Sequence, residues 1–259
     1  MATFSASPSA GPTALQADAT VMARRLHDLG SRDTVSVVGH VLQIQGAKLP
    51  VPAADLAETG RLAFRPALCG APAYTGGTGT PPSAVLPPCR AKSQLTAANL
   101  RVNPATDTPS RTPPPDPQFA SIASTPPGQN SPTATVLLTV QQPYRLYPRM
   151  VLGPAQFGNT DVASVVAEHP QGTSWMLVVT MTQRGAAHFN ALARQTFHAM
   201  MAIDMDGMIQ SAPLIQPSQT SFTPFGDKMD ISGTFSATKA KALAAVLASG
   251  PLEVPLTTP

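Results

Sequence analysis

The sequence predicts an α+β fold: two small α/β-plait-like subdomains, each an antiparallel sheet with helices on one face, joined by a long Pro-rich insertion. Three observations lead there. Short alternating apolar runs and amphipathic helical stretches occupy both ends of the chain. Between them, residues 69–134 show little periodicity and carry proline pairs or triples at Pro81, Pro87, Pro113 and Pro126. Finally, hydrophobic residues make up 42% of the 259 residues, so a core is expected, while charged residues are only 12% and prolines number 29. That combination fits compact parts separated by a polar, uncharged segment.

Residues 1–12 are small, polar and uncharged, and read as a disordered leader without the basic and apolar regions of a signal peptide. The first subdomain is expected over 13–68. Residues 13–29 form an amphipathic helix: Thr13 can cap it, Leu15, Val21, Met22, Leu26 and Leu29 share a face, and Gly30 stops it. Two strands follow at 35–38 and 41–45, with Gly39 and His40 as the turn. Pro50 and Pro52 break the pattern. A short helix at 53–59 and a strand at 61–68 complete the unit.

Consecutive prolines favour extended polyproline-II backbone, so 69–134 reads as a linker or a functional insertion, with one helical turn near 95–100. It is bounded by Cys69, and Cys89 lies within it; these are the two cysteines of the chain. The Gly/Pro/Thr-rich loop between them can bring its ends together. A disulfide closing about twenty residues would contribute roughly 3 kcal/mol, and it favours an oxidising compartment. Two unrelated thiols are the alternative.

Order returns over 135–259, the expected second subdomain. A strand at 136–140 is followed by a connection over 141–150 containing Tyr144 and Tyr147. Residues 161–169 fit a helix or a strand, since Val162, Val165 and Val166 share a helical face but are β-branched. A strand at 175–181 leads to a helix at 184–198. Strands at 200–205 and 208–215 flank Asp206 and Gly207, a strong hairpin signal. A strand at 229–235 precedes a helix at 237–249 that Ser236 caps and Gly250 and Pro251 end.

The net charge of +3 is scattered, with no basic stripe, so nucleic-acid binding is not expected. No run of eighteen apolar residues spans a membrane. No nucleophile elbow, Walker loop, zinc-protease motif or Cys-x-x-Cys pair occurs. Asp204 and Asp206 stand at i and i+2 of a strand and so share a face. They carry a remote reading as a metal-dependent enzyme, with Asp227 and Asp230 as further carboxylates; a solvated hairpin tip is the plainer reading. His188 and His198 lie roughly 15 Å apart along one helix, too far to share an ion. No cofactor is called for. Two features suit a partner. Phe222 and Phe225 sit on a polar loop flanked by Pro217 and Pro224, and either contact an unfolded chain or fold back over the core. Met205 and Met208, with Met200, Met201 and Met229, make an adaptable apolar surface or belong to the core.

The second half resembles the head of the SecD extracytoplasmic domain. The resemblance runs through Leu152-Gly153-Pro154-Ala155 with Gly158 and Thr160 to Ser164, then Trp175 to Thr182 with Gly185, Ala186 and Phe189. It continues through the hairpin Ala202-Ile203-Asp204-Met205-Asp206-Gly207-Met208-Ile209-Gln210-Ser211-Ala212-Pro213. It closes with Ile231 to Phe235, Ala240, Leu243, Leu247 and Gly250. Residues Ala19, Arg24 to Leu26, Leu29, Gly30 and Leu62-Ala63-Phe64-Arg65-Pro66 are similar to the SecD base, and the Pro-rich insertion resembles the actinobacterial type. A Gly-Gly loop expected before the closing strand reads Thr220-Ser221-Phe222-Thr223-Pro224-Phe225-Gly226 here. The resemblance implies a non-enzymatic export accessory on the outer face of the cell membrane. Its partners would be unfolded preprotein, contacted through Phe222, Phe225, Met205 and Met208, together with the Sec channel and a SecF-like subunit. It would touch the membrane only through segments outside this chain. A freestanding paralogue acting as an envelope interaction protein is the alternative.

Overall fold

The computed structural model describes residues 2–258 except 47, 77–84, 104, 107, 110, 145–146 and 172–173. In chain order its strands are β1 (Ala2–Ala6), β2 (Thr34–Val38), β3 (Val41–Gln45), β4 (Leu62–Ala71), β5 (Val102–Asn103), β6 (Thr108–Pro109), β7 (Val136–Tyr144) and β8 (Tyr147–Leu152). They continue with β9 (Phe157–Gly158), β10 (Val162–Glu168), β11 (Trp175–Met181), β12 (Met201–Met205), β13 (Met208–Ser211), β14 (Lys228–Phe235) and β15 (Leu256–Thr257). The helices are α1 (Pro12–Asp28), α2 (Ala53–Leu56), α3 (Ala97–Leu100), α4 (Gln183–Gln195) and α5 (Ala237–Ser249). The class is α+β, as the sequence predicts, but the chain is partitioned differently. Residues 1–62, 159–182 and 227–259 form one compact unit; residues 63–158 and 183–226 form the other.

The first, open-sheet unit contains a four-stranded antiparallel sheet in the order β15-β1-β3-β2 and a three-stranded one, β10-β11-β14. The stretch read as a disordered leader is β1: Phe4 is fully buried opposite Leu42, and Ser5 pairs with Thr257. One buried aromatic and a free strand edge suffice to order it. Helix α1 starts one residue earlier than Thr13, with Pro12 in its first turn and no side-chain cap; proline's fixed φ and missing N–H cost nothing there. Its buried face of Leu15, Met22 and Leu26 packs with Phe4, Leu42, Leu56 and Leu252. The ambiguous segment at 161–169 is strand β10, paired in register with β11, Val165 opposite Val179. β-branching outweighs the helical spacing once a partner strand is available. Helix α5 begins at its Ser236 cap, whose hydroxyl accepts the Lys239 amide, and lies against β10, β11 and α1.

Arg25, fully buried on α1, holds the irregular chain around it. Its Nε donates to Ser249 Oγ, and its terminal nitrogens donate to the carbonyls of Leu56, Glu58, Thr59 and Gly250. Asp18 on the same helix accepts the amides of Glu253 and Val254. Burial raises the Asp18 pKa, and those two amides work against the rise.

In the second unit β12, β13, β7, β8 and β4 pair in sequence, and β12 pairs back onto β4, closing a five-stranded ring. β9 extends the β4 edge. All pairs are antiparallel except β13 with β7. Alternation along the strands gives the barrel two apolar faces. Val136, Leu138, Val140, Met150, Leu152 and Ala202 cluster on one; Leu137, Val151, Cys69 and Ala71 cluster on the other.

The Pro-rich segment is not a spacer between domains; its described residues pack on this barrel. Leu86 and Phe119 cover the outer cluster, whereas Leu95 and Leu100 join the inner one. Polyproline backbone makes no internal hydrogen bonds, so the segment is secured by others. Leu95 N–H donates to the Leu68 carbonyl and Asp116 N–H to that of Gly70. The buried Asp116 carboxylate accepts the amides of Arg90 and Gln118. Arg149, buried on β8, donates to the carbonyls of Pro72, Phe119 and Ile122, and Cys69 and Cys89 form a disulfide. The stretch read as a connection over 141–150 is instead taken up by the end of β7 and the start of β8, a hairpin whose tip lies outside the described residues.

Candidate functional site

One end of the barrel carries an apolar cavity. The start of β8, the approach to β12 and the exit of β13 all lie at this end, because β12 runs antiparallel to β13 and β7 parallel to it. They supply Tyr147, Met200, Ala212, Pro213 and Leu214; the Pro-rich segment supplies Leu100, Pro109 and Thr112. The volume is about 260 Å³. That is below the roughly 300–1,000 Å³ common for small-molecule and cofactor pockets, and suits one large aliphatic or aromatic side chain. The walls offer almost no polar atoms: the Tyr147 hydroxyl is turned away, donating to the Pro113 carbonyl at 2.6 Å. Burial pushes the Tyr147 pKa up to about 12. Its ring lies over Gly70, where an added Cβ would come within 1.8 Å of it. Only glycine leaves the space that lets Tyr147 line the cavity.

The aromatic loop singled out in the sequence folds back onto α4. The Phe225 amide donates to Asn190 Oδ1 at 2.7 Å, and Asn190 Nδ2 returns a bond to the Phe225 carbonyl. The Phe225 ring lies 5.1 Å from Phe189, and Phe222 meets Phe197 edge-on at 6.2 Å with the Arg194 guanidinium 4.8 Å above it. With Phe157 and Phe64 these rings run as a continuous series from the barrel core to the surface. Both loop rings remain half-buried. Met205 and Met208 part company: Met205 is 6% exposed in β12, while Met208 is 39% exposed at the hairpin. Trp175 is half-buried between His169 and Lys241.

The acidic hairpin differs from both readings of it. Asp204 is neither a solvated tip nor a metal ligand but a fully buried anion. Its Oδ2 accepts Arg65 Nε and Asn130 Nδ2, each at 3.2 Å, and its Oδ1 accepts the Gly207 amide at 2.9 Å. Arg65, equally buried, spends its four other N–H groups on the carbonyls of Ala134, Gly153, Asn130 and Ser131. The Asp204 carboxylate on which the enzyme reading relied is committed to Arg65. The pair joins β4 to β12, the two strands that close the ring. Burial raises the Asp204 pKa, opposed by Arg65, the Gly207 amide and Asn130, and burial lowers that of Arg65. Asp227 and Asp230 belong to the other unit.

Sequence reasoning missed the cavity. Its lining comes from four separate stretches, none of which carries a motif. The apolar patch at 95–100 inside an otherwise polar, Pro-rich segment was the one signal that this segment touches a core.

Comparison with known proteins bears on the same region. Residues 135–254 match the family model of the SecDF P1 head subdomain. The chain is 31% identical over 137 residues to the protein translocase subunit SecDF of Thermus thermophilus, covering 48% of this chain and 18% of that one. It is 33% identical over 81 residues to the protein translocase subunit SecD of Endomicrobium trichonymphae, covering 31% and 16%. The chain thus spans less than a fifth of these relatives. Two solved structures share the fold at 22% identity over 99% of the chain. The crystal structure of SecDF in a super-membrane-facing form superposes with a TM-score of 0.56 over 29% of its own length. A structure described as a membrane component SecDF that enhances protein export gives 0.55 over 96%.

Proposed function

Because residues 135–254 match the family model of the SecDF P1 head subdomain, we propose that this chain holds or guides unfolded preprotein as it leaves the export channel. It does so on the outer face of the cell membrane, beside the Sec channel and a SecF-like subunit. Among the described residues no helix is long and apolar enough to cross a membrane. One of the similar solved structures is described as a membrane component.

The observation that supports the reading is the cavity at the barrel end. A preprotein in transit is extended and of any sequence, so a useful site takes an apolar side chain without reading its neighbours. A dry pocket of side-chain size does this, and Met200 in its wall adapts to different shapes. Phe222, Phe225 and Met208 are kept as a second, shallower contact. Met205 is buried and takes no part. The role is one of binding and release, with no chemical step assigned to the chain.

Site-specific photocrosslinking in cells tests this. A photoreactive residue at Leu214 or Met200 is expected to capture exporting preprotein, and one at Phe222 or Phe225 to do so more weakly. The fully buried Leu138 serves as control. Labelling no stronger than at Leu138 rejects preprotein binding; capture only of other envelope proteins moves the chain to the role of a freestanding interaction domain.

A further inference from the structure

We propose that the Pro-rich segment is a wall of this site and that the Cys69–Cys89 disulfide makes the wall conditional on oxidation, so that the cavity captures apolar side chains only in the oxidised protein. The inference rests on reading the cavity as a preprotein site and adds its regulation.

Three of the cavity's lining residues, Leu100, Pro109 and Thr112, come from the segment 69–134. Without them the site is an open depression made by Tyr147, Met200 and the stretch 212–214 after β13. Among its described residues the segment has little regular structure to hold it: a four-residue helix ending at Leu100, single 3-10 turns at Ala91–Ser93 and Pro117–Phe119, and two two-residue strands, β5 and β6. Its run toward the cavity begins at Cys89, tied to β4 through the disulfide. Five residues on, Gln94 bridges to Cys69 itself, and its side-chain amide donates to the Cys89 carbonyl. Leu95 then bonds to Leu68, and Asn99, the residue before Leu100, donates to the carbonyls of Ala91 and Gln94. The bridge, the Gln94 pairing and the placement of Leu100 are consecutive links of one chain. The far end of the wall is held separately, by Tyr147 on Pro113.

The disulfide is also open to exchange. Cys69 is fully buried, but Cys89 is half-buried and lines a second groove with Leu68, Pro88, Gln94, Leu95 and Thr96. A dithiol reductant attacks one sulfur, forms a mixed disulfide and then closes on itself. The S–S bond of the protein breaks, the two cysteines take up two electrons and two protons, and the dithiol leaves as its own disulfide. Freed at Cys89, residues 85–94 lose their covalent tie to β4, and Leu100 is then placed by the hydrogen bonds of 95–101 and by its packing in the inner cluster, without a covalent anchor. The apparent affinity then falls by the fraction of molecules in which the wall is closed. In a reducing compartment the site is unformed, and it assembles after the chain reaches an oxidising one.

Fluorescence anisotropy of a labelled, unstructured peptide bearing Leu and Phe side chains, titrated with the whole chain, tests this. The oxidised protein is expected to bind, reduction with a dithiol or the Cys69→Ala/Cys89→Ala pair to weaken binding about ten-fold or more, and reoxidation to restore it. Leu100→Ser in the oxidised protein should weaken binding comparably with the bridge intact. Hydrogen exchange at Leu137 and Leu138 should stay slow throughout. Equal binding by oxidised and reduced protein overturns the redox inference and leaves the preprotein site standing. No binding by the oxidised protein overturns the preprotein reading itself. Loss of barrel protection together with binding also overturns the inference, since the bridge would then hold the barrel rather than its wall.

Discussion

Replacing Asp204 by alanine should be among the most damaging single changes available in the barrel unit. The Arg65 guanidinium is 1% exposed, and among the described residues Asp204 is the anion it meets. Removing one member of a buried pair strands the other charge and costs about 3–5 kcal/mol. The Gly207 and Asn130 donors also lose their acceptor, adding about 1 kcal/mol. Against a typical domain stability of roughly 5–15 kcal/mol, a loss of about 4–6 leaves the ring barely folded. Urea denaturation followed by far-UV circular dichroism is the assay. With a slope of about 1–3 kcal/mol per molar, the midpoint should fall by more than about 1 M. Trp175, the single tryptophan, belongs to the open-sheet unit, so its fluorescence transition should move far less. The pair Arg65→Met/Asp204→Leu should recover part of the loss, because no charge is then stranded, but not all of it. Four carbonyls that Arg65 served remain without a donor. An Asp204→Ala cost below about 1 kcal/mol would refute the claim that this pair fastens the ring.

Tyr147 supplies a pH signature. Its folded-state pKa of about 12 exceeds the ordinary value of 10. Its contribution is therefore fully present below pH 10 and lost as pH rises from 10 through about 12, by about 2–3 kcal/mol. Denaturation curves for wild type and Tyr147→Phe should converge over that window; parallel curves would show that the hydroxyl is not buried. Replacing Cys69 and Cys89 by serine should cost about 3 kcal/mol for a closed loop of this length, read as a lower urea midpoint in circular dichroism with the Trp175 transition little changed. Ser236→Ala removes the cap of α5 and should cost about 1 kcal/mol, this time visible in Trp175 fluorescence.

The sequence made the elements legible and left their partners obscure. The 205–208 hairpin, the Ser236 cap and the strand at 175–181 follow from local chemistry: a turn needing positive φ, a hydroxyl before an apolar helix, a dense apolar run. What local chemistry does not encode is which edge a strand finds. The runs at 175–181 and 201–205 are equally apolar, yet one pairs with β10 and β14 and the other with β13 and β4. Phe4 illustrates the same limit: one aromatic in a polar stretch carries no periodicity, and only the β3 edge gives it a place. The cavity was hidden for a related reason, since concavity arises from what four distant stretches leave unfilled. Asp204 was misjudged because its acidic neighbour at 206 suggested water, while its true partner lies 139 residues away.

The pairing of Ser5 with Thr257 fixes an order of assembly. Contacts of such sequence separation form late and slowly. As the chain emerges, every residue of the barrel unit, 63–158 and 183–226, is present before β14, α5 and β15 exist. The barrel can therefore close early, while α1 and the β1 edge wait for α5 and β15. That interval is the exposed stage of folding, and its length is set by how soon the last thirty-odd residues arrive. A tag or cut that blocks β15 would prolong it, and the damage would show as aggregation during synthesis rather than as a lower midpoint in the finished protein.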